Sequence, residues 1–95
     1  MVKIIWTEFA VEDLRSIHDY ISKDSKHYAD RYVEKILTRI EQLETNPQSG
    51  RIVPEFNTDT VRELIEGRYR IIYKLNDGYI VVVRIHHSAR QLKDV

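Results

Sequence analysis

Val2-Lys3-Ile4-Ile5-Trp6 opens the chain with β-branched and aromatic residues in rough alternation, placing Val2, Ile4 and Trp6 on one side, so the segment reads as a strand. The period then changes. Ala10, Leu14, Ile17 and Ile21 recur at spacings of four, three and four, which is one stripe of an α-helix, and Thr7 followed by Glu8 supplies a capping oxygen and a first-turn acid. This helix runs to about Lys23. After the polar break Lys23-Asp24-Ser25-Lys26 the stripe restarts at Ala29, Val33, Ile36, Ile40 and Leu43, with Ser25 as the new cap and an end near Asn46-Pro47. Two helices with so short a link fold back on each other, and their apolar stripes need a sheet to cover.

Residues 48–60 lose periodicity and contain Gly50, Pro54, Asn57 and Asp59, so they read as a loop. Strand patterns return at Val61 to Glu66, Tyr69 to Leu75 and Tyr79 to His87, separated by Gly67 and by Asn76-Asp77-Gly78. The expectation is an α+β fold: strand, helix, helix, then a three-strand meander, a small antiparallel sheet packed by an N-terminal helical hairpin. We read residues 1–95 as a single domain, because two cores would each be too small to stand alone.

The last turn decides which side chains meet, since a slip of one residue turns every side chain to the other face. A three-residue loop ending in a left-handed Gly78 pairs Leu75 with Tyr79 and sets Arg70 opposite Arg84; a two-residue Asp77-Gly78 turn would set Arg70 opposite Ile85. The three-residue loop is preferred because it gathers Arg70, Arg84 and His86 on one face, with Lys74 and His86 at its ends. The other face would then carry Tyr69, Ile71, Tyr73, Val81, Val83 and Ile85 toward the helices.

Composition narrows the chemistry. The chain has no cysteine, which removes disulfides, thiolate metal sites and cysteine nucleophiles. Fifteen basic and fifteen acidic residues cancel, so no global field advertises a nucleic acid or membrane. The charges are nevertheless segregated: residues 1–60 hold 8 basic and 11 acidic groups, net −3, and residues 61–95 hold 7 and 4, net +3. No apolar run reaches membrane-spanning length and no signal-peptide pattern opens the chain, so a cytoplasmic protein without a membrane partner is expected.

Two opposed arginines repel unless an anion or a carboxylate lies between them, and a phosphate matches the guanidinium fork well. RNA cleaves through its own 2′-hydroxyl when a base removes that proton, an acid protonates the leaving oxygen and a cation stabilises the phosphorane. Arg70 and Arg84 suit the cation role, His86 the acid and Glu55 the base. The same arginines also suit a solvated sheet face or a pairing with Glu63. His86 and His87 are strand neighbours pointing to opposite faces and cannot share a metal, and His18 and His27 read as surface residues, so no metal and no cofactor is expected. Tyr20, Tyr28 and Tyr32 sit at helical spacing, as packing residues do.

As an ordered set these residues resemble the RelE/ParE family of toxins from type II toxin-antitoxin modules. The resemblance is carried by Trp6-Thr7, Ala10, Asp13-Leu14, Ile17 and Tyr20-Ile21; by Pro47, Gly50-Arg51 and Val53-Pro54-Glu55; by Arg62-Glu63-Leu64 and Tyr69-Arg70-Ile71-Ile72-Tyr73; and by Ile85-His86 with Arg90. It implies the helical hairpin on a sheet already described, and a growth-inhibiting activity of one of two kinds. In the branch that cuts messenger RNA on the ribosome, Glu55 would be the general base, His86 the general acid, and Arg70 and Arg84 the phosphate contacts, with Arg62, Lys74, His87 and Arg90 as further substrate contacts. The other branch inhibits DNA gyrase, and the zero net charge and long hairpin fit it better. Messenger RNA cleavage is taken as the first expectation and gyrase inhibition as the alternative. Either branch implies an antitoxin protein as partner, in a dimer or toxin-antitoxin hetero-oligomer, with Tyr28, Tyr32 and Val33 as candidate contacts.

Overall fold

The structure is a computed structural model, and it describes residues 1–88. Its elements are β1 (Lys3–Trp6), α1 (Glu8–Ser22), α2 (Lys26–Glu41) with a 3₁₀ turn at Gln42–Glu44, β2 (Arg51–Ile52), β3 (Val61–Glu66), β4 (Tyr69–Asn76) and β5 (Tyr79–His87). Both helix caps fall where the sequence places them. Thr7 Oγ1 accepts from Ala10 N at 3.0 Å and Ser25 Oγ accepts from Tyr28 N at 3.1 Å, each offsetting a donor that the first helical turn leaves unpaired. One of the surface histidines joins the two helices. His18 Nε2 donates to Asp30 Oδ1 at 2.7 Å, tying α1 to α2, and this bond holds Asp30 below the usual carboxylate range.

The α+β architecture is as expected, with two additions. The sheet has five strands in the order β1-β5-β4-β3-β2, because two residues of the loop, Arg51 and Ile52, pair with Glu63 and Arg62. Strand β1 runs parallel to β5, Lys3 beside Tyr79 through Trp6 beside Val82, a pairing that the long connection through the helices and the other strands allows. The helices cover that face. Ile17, Ile36, Ile40 and Leu43 pack on Leu64, Ile71, Tyr73, Ile80, Val82 and Ile85, and each fully buried aliphatic side chain contributes about 1.5–3 kcal/mol.

The β4–β5 register corrects the sequence reading. Asn76 lies opposite Tyr79, so the connection is Asp77-Gly78, with Gly78 at φ 78°. That alone would set Arg70 opposite Ile85. Between the Tyr73–Val82 and Ile72–Arg84 pairs, however, β5 carries one extra residue, Val83, and beyond this bulge Ile71 faces Ile85 and Arg70 faces His86. Ile80 and Val82, rather than Val81 and Val83, point at the helices in the first half of the strand. Past the bulge the parity flips. Ile85 now joins the core while Arg84 and His86 share the open face with Arg70 and Ile72.

The bulge lies where β1 gives way to α1. Thr7 N donates to Val82 O at 3.1 Å, and Thr7 Oγ1, while capping the helix, donates to Val83 O at 2.7 Å. On the open face a second small cluster, Val53, Val61, Ile72 and Phe56, is closed by the turn after β2, in which Asn57 adopts φ 47°, a conformation asparagine tolerates better than most residues.

Candidate functional site

Arg70, buried apart from a tenth of its side chain, lies on the open face of β4 between two carboxylates. Its Nη1 and Nη2 donate to Glu55 at 2.7 and 2.8 Å, a two-pronged contact, and its Nε donates to Glu63 Oε1 at 2.6 Å. Glu63 is fully buried, and its other oxygen accepts from Arg51 Nε at 2.6 Å. The result is a ladder, Arg51–Glu63–Arg70–Glu55, that runs from β2 across β3 to β4 and back to the turn. Glu63 reaches Arg51 because their strands pair, and Glu55 reaches Arg70 because the Val53–Phe56 turn folds over Ile72.

The ladder fixes protonation. Arg70's hydrogen bonds pull the Glu55 carboxyl down to about 2, and the two carboxylates hold the Arg70 proton more tightly than usual. A carboxylate this acidic and doubly bonded is a weak general base, roughly five units below neutral pH.

Arg84 is not opposite Arg70, as the preferred turn required, but beside Ile72 and clamped elsewhere. Its Nε and Nη2 donate to Asp13 of α1 at 2.8 and 3.0 Å, which raises the guanidinium pKa, and Ile85 N donates to the same carboxylate at 2.9 Å. Asp13 thereby caps the stretch of β5 that β1 is too short to cover. The Arg84 guanidinium lies 5.5 Å from the centre of the exposed Phe9 ring.

The other sequence candidates scatter. His86 faces Arg70 across the strands, and Lys74 lies on the same face opposite Val81. Arg62 is paired with Tyr73 on the opposite face, where it donates to the Asp59, Gly50 and Gln48 carbonyls at 3.0, 3.1 and 3.3 Å and so holds the loop rather than a ligand. His87 also faces the helices. It meets Tyr69 edge-on at 5.2 Å and lines, with Asp13, Ile17 and Tyr20, a cleft of about 580 Å³. Arg90 falls outside the described residues. On α2, Tyr28 is 58% exposed while Tyr32 and Val33 are partly covered. No group of three or more metal-binding side chains comes together among the described residues, and no helix there is long and apolar enough to cross a membrane.

Residues 4–92 match the profile described as "ParE toxin of type II toxin-antitoxin system, parDE". The chain belongs to the ParE toxin family. It is 37% identical over 91 residues to "Toxin RelE2" of Caulobacter vibrioides, an alignment covering 95% of this chain and 99% of that relative. Among solved structures, "Chromosomal ParDE TA system from P. aeruginosa" superposes with a TM-score of 0.76 at 25% identity, covering 92% of this chain and 96% of that one. "The structure of YoeB dimer from Staphylococcus aureus" superposes at 0.60 with 18% identity over 90% and 95% of the two chains, a likeness of fold. A ParE-family toxin belongs to a toxin-antitoxin module, which implies a cognate antitoxin as partner.

Asp13, Glu63 and Arg51 hold the arginines and the sheet face in place; the sequence reading offers Glu63 as a partner of the arginines but gives Asp13 and Arg51 no site role. Asp13 and Glu63 had a signal, Asp13 lying on the Ala10–Leu14–Ile17 stripe of its helix and Glu63 on the same side of its strand as Val61 and Ile65. Such an acid folds in only with a cation beside it.

Proposed function

We propose that this toxin acts by binding a protein target, DNA gyrase, and not by cutting RNA. The observation that carries this reading is the saturation of the groups cleavage would use. Arg70 is held by Glu55 and Glu63, Arg84 by Asp13, and Glu55 is held near 2. A phosphate would have to displace two carboxylates from Arg70 before chemistry could begin. Zero net charge adds to the difficulty of entering an RNA-lined cleft. The match to the ParE toxin profile and the resemblance to the gyrase-directed branch support gyrase as the protein target.

A second reading, ribosome-dependent messenger RNA cleavage, draws on the opposition of Arg70 and His86, with Lys74 on the same face. In that mechanism Glu55 would swing off Arg70 as the scissile phosphate arrives, which frees the base and the fork together. Purified chain added to gyrase supercoiling reactions, and in parallel to ribosomes holding a message read by primer extension, separates the two. Inhibited supercoiling with an intact message is the expected result. Message cleavage that disappears in His86→Ala would replace the first reading by the second.

A further inference from the structure

Strand β1 is one edge of the sheet, and the other is the two-residue β2. Successive residues of a strand turn their N–H and C=O groups to opposite sides. Lys3 N donates to Gly78 O at 3.2 Å and Thr7 N to Val82 O at 3.1 Å, so Lys3, Ile5 and Thr7 turn toward β5 while Val2, Ile4 and Trp6 turn away. Val2 N donates to Glu44 O of the 3₁₀ turn at 3.1 Å. Among the described residues nothing takes up the outward backbone groups of Ile4 and Trp6. The open stretch is therefore short and bounded, by the 3₁₀ turn before Ile4 and by the start of α1 at Glu8.

The side chains along this edge are apolar on both faces. Ile4 and Trp6 pack on the core beneath the helices, whereas Ile5, 41% exposed, stands on the open face beside Val81. Lys3 shares that face and is the strand's one charge. A bare edge next to an exposed isoleucine invites another strand.

We infer that this edge pairs with itself: two copies of the chain join β1 to β1, antiparallel, about a two-fold axis at Ile5. The register follows from which groups are open. An axis between two residues would set an outward group against an inward one. An axis at Ile4 would set Trp6 against Val2, whose N–H is already used, and an axis at Trp6 would set Ile4 against Glu8, which is helical. With the axis at Ile5, Ile4 of each copy lies opposite Trp6 of the other and the two exchange both N–H···O=C bonds. Ile5 then meets Ile5 as a non-hydrogen-bonded pair, with Cα atoms about 4.5 Å apart, and covers the exposed side chain. Lys3 falls opposite Thr7 of the second copy, next to the exposed Glu8, so the charges at both ends of the contact are complementary. A foreign extended segment would find the same few backbone groups, but a second copy also brings an isoleucine to Ile5 and an acid to Lys3, as a two-fold contact requires. The pairing is short, at the low end of specific interface sizes, so the dimer forms in proportion to concentration. It places both helical hairpins on one side of a continuous sheet and both open faces on the other, and it does not depend on which target the toxin binds.

Sedimentation velocity on the whole chain, at concentrations up to about 1 mM, should show a monomer–dimer equilibrium. Ile5→Lys sets two like charges on the axis and should weaken the dimer at least about tenfold; because Ile5 lies on the open face, the melting temperature should stay close to that of the wild type. Cross-linking checks the register. The chain has no cysteine, so Ile5→Cys carries a single thiol, and directly opposed residues at this spacing fall within the Cα separation of about 4.4–6.8 Å that a disulfide spans. Under mild oxidation the Ile5→Cys chain should form a covalent dimer at least about tenfold faster than Val11→Cys, a thiol at a position of similar exposure, 43%, on α1. A chain that stays monomeric throughout, a dimer indifferent to Ile5→Lys in a folded sample, or equal cross-linking at the two positions would overturn the inference.

Discussion

Arg70→Ala should damage the fold before it damages any activity. Glu63 has no exposed side-chain surface, and its two oxygens each take one guanidinium N–H at 2.6 Å, from Arg70 and from Arg51. Arg51 is 61% exposed and water weakens its hold, whereas Arg70 is 10% exposed and is the partner that shares Glu63's dry environment. Removing one member of a buried pair costs about 3–5 kcal/mol. The remaining bond to Arg51 places the expected loss near the lower figure, about 3 kcal/mol. A domain of this length has about 5–14 kcal/mol in all, and at 4–8 °C per kcal/mol the melting temperature should fall by about 12–24 °C. Urea unfolding followed by circular dichroism measures it directly. The control is Arg70→Met combined with Glu63→Met, in which no charge is stranded and most of the loss should be recovered. A single variant within about 1 kcal/mol of wild type would refute the reasoning and free Arg70 for a role in RNA cleavage. Loss of toxicity in Arg70→Ala therefore says nothing about chemistry until the variant is shown to be folded.

Gly50→Ala should cost at least about 2 kcal/mol by urea unfolding, because a Cβ there falls 2.5 Å from the Tyr73 hydroxyl and 2.6 Å from Glu63 O; that hydroxyl accepts from Gly50 N and donates to Pro47 O, both at 2.9 Å. Asp13→Ala should cost about 1–3 kcal/mol, since the buried-edge Ile85 N–H and the Arg84 fork lose one acceptor together, and faster hydrogen exchange at Ile85 should accompany it. Glu55 is lowered from 4.5 to about 2 in the folded chain. Between those values the unfolded state binds the extra proton, so the stability Glu55 contributes is whole above about pH 4.5 and is lost as pH falls toward 2. Glu55→Gln should flatten that part of the pH profile in acid titration.

Elements whose information is local were legible in the sequence. Thr7 and Ser25 announce their helices because a cap needs one oxygen at one position, and the core stripes follow from periods of 3.6 and 2. The parallel pairing of β1 with β5 and the two-residue strand β2 were not legible, since each depends on where distant segments come to rest. The hairpin register failed for a sharper reason. Leu75-Asn76-Asp77-Gly78-Tyr79 admits two turns, and the bulge at Val83 leaves no mark in a run of three valines, Val81 to Val83. Arg70, Arg84 and His86 do share a face, though Arg70 opposes His86 and the turn is the two-residue one. The carboxylate reading of the arginines, with Glu63 named, stood open beside the phosphate reading; Glu63 does bind Arg70, and Asp13 and Glu55 complete the pairing.

The bulge connects these observations. Had β5 continued without Val83, Arg84 and His86 would point into the helix layer, where neither charge nor imidazole has a partner among Ile17, Ile36 and Ile71. The extra residue turns them out. It also presents the Val83 carbonyl to Thr7, so the start of α1 is fixed one strand-width from Arg84 and Asp13, less than two helical turns later, is carried to the guanidinium. Charges segregated along the chain are by this route matched in space. The acidic first part supplies Asp13 and Glu55 to arginines of the basic second part, so Arg70 and Arg84 are paired within the fold. On the helix side the order is reversed: Glu66 of β3, an acid of the second part, serves two cations of α2, Lys35 at 3.3 Å and Arg39 at 3.6 Å.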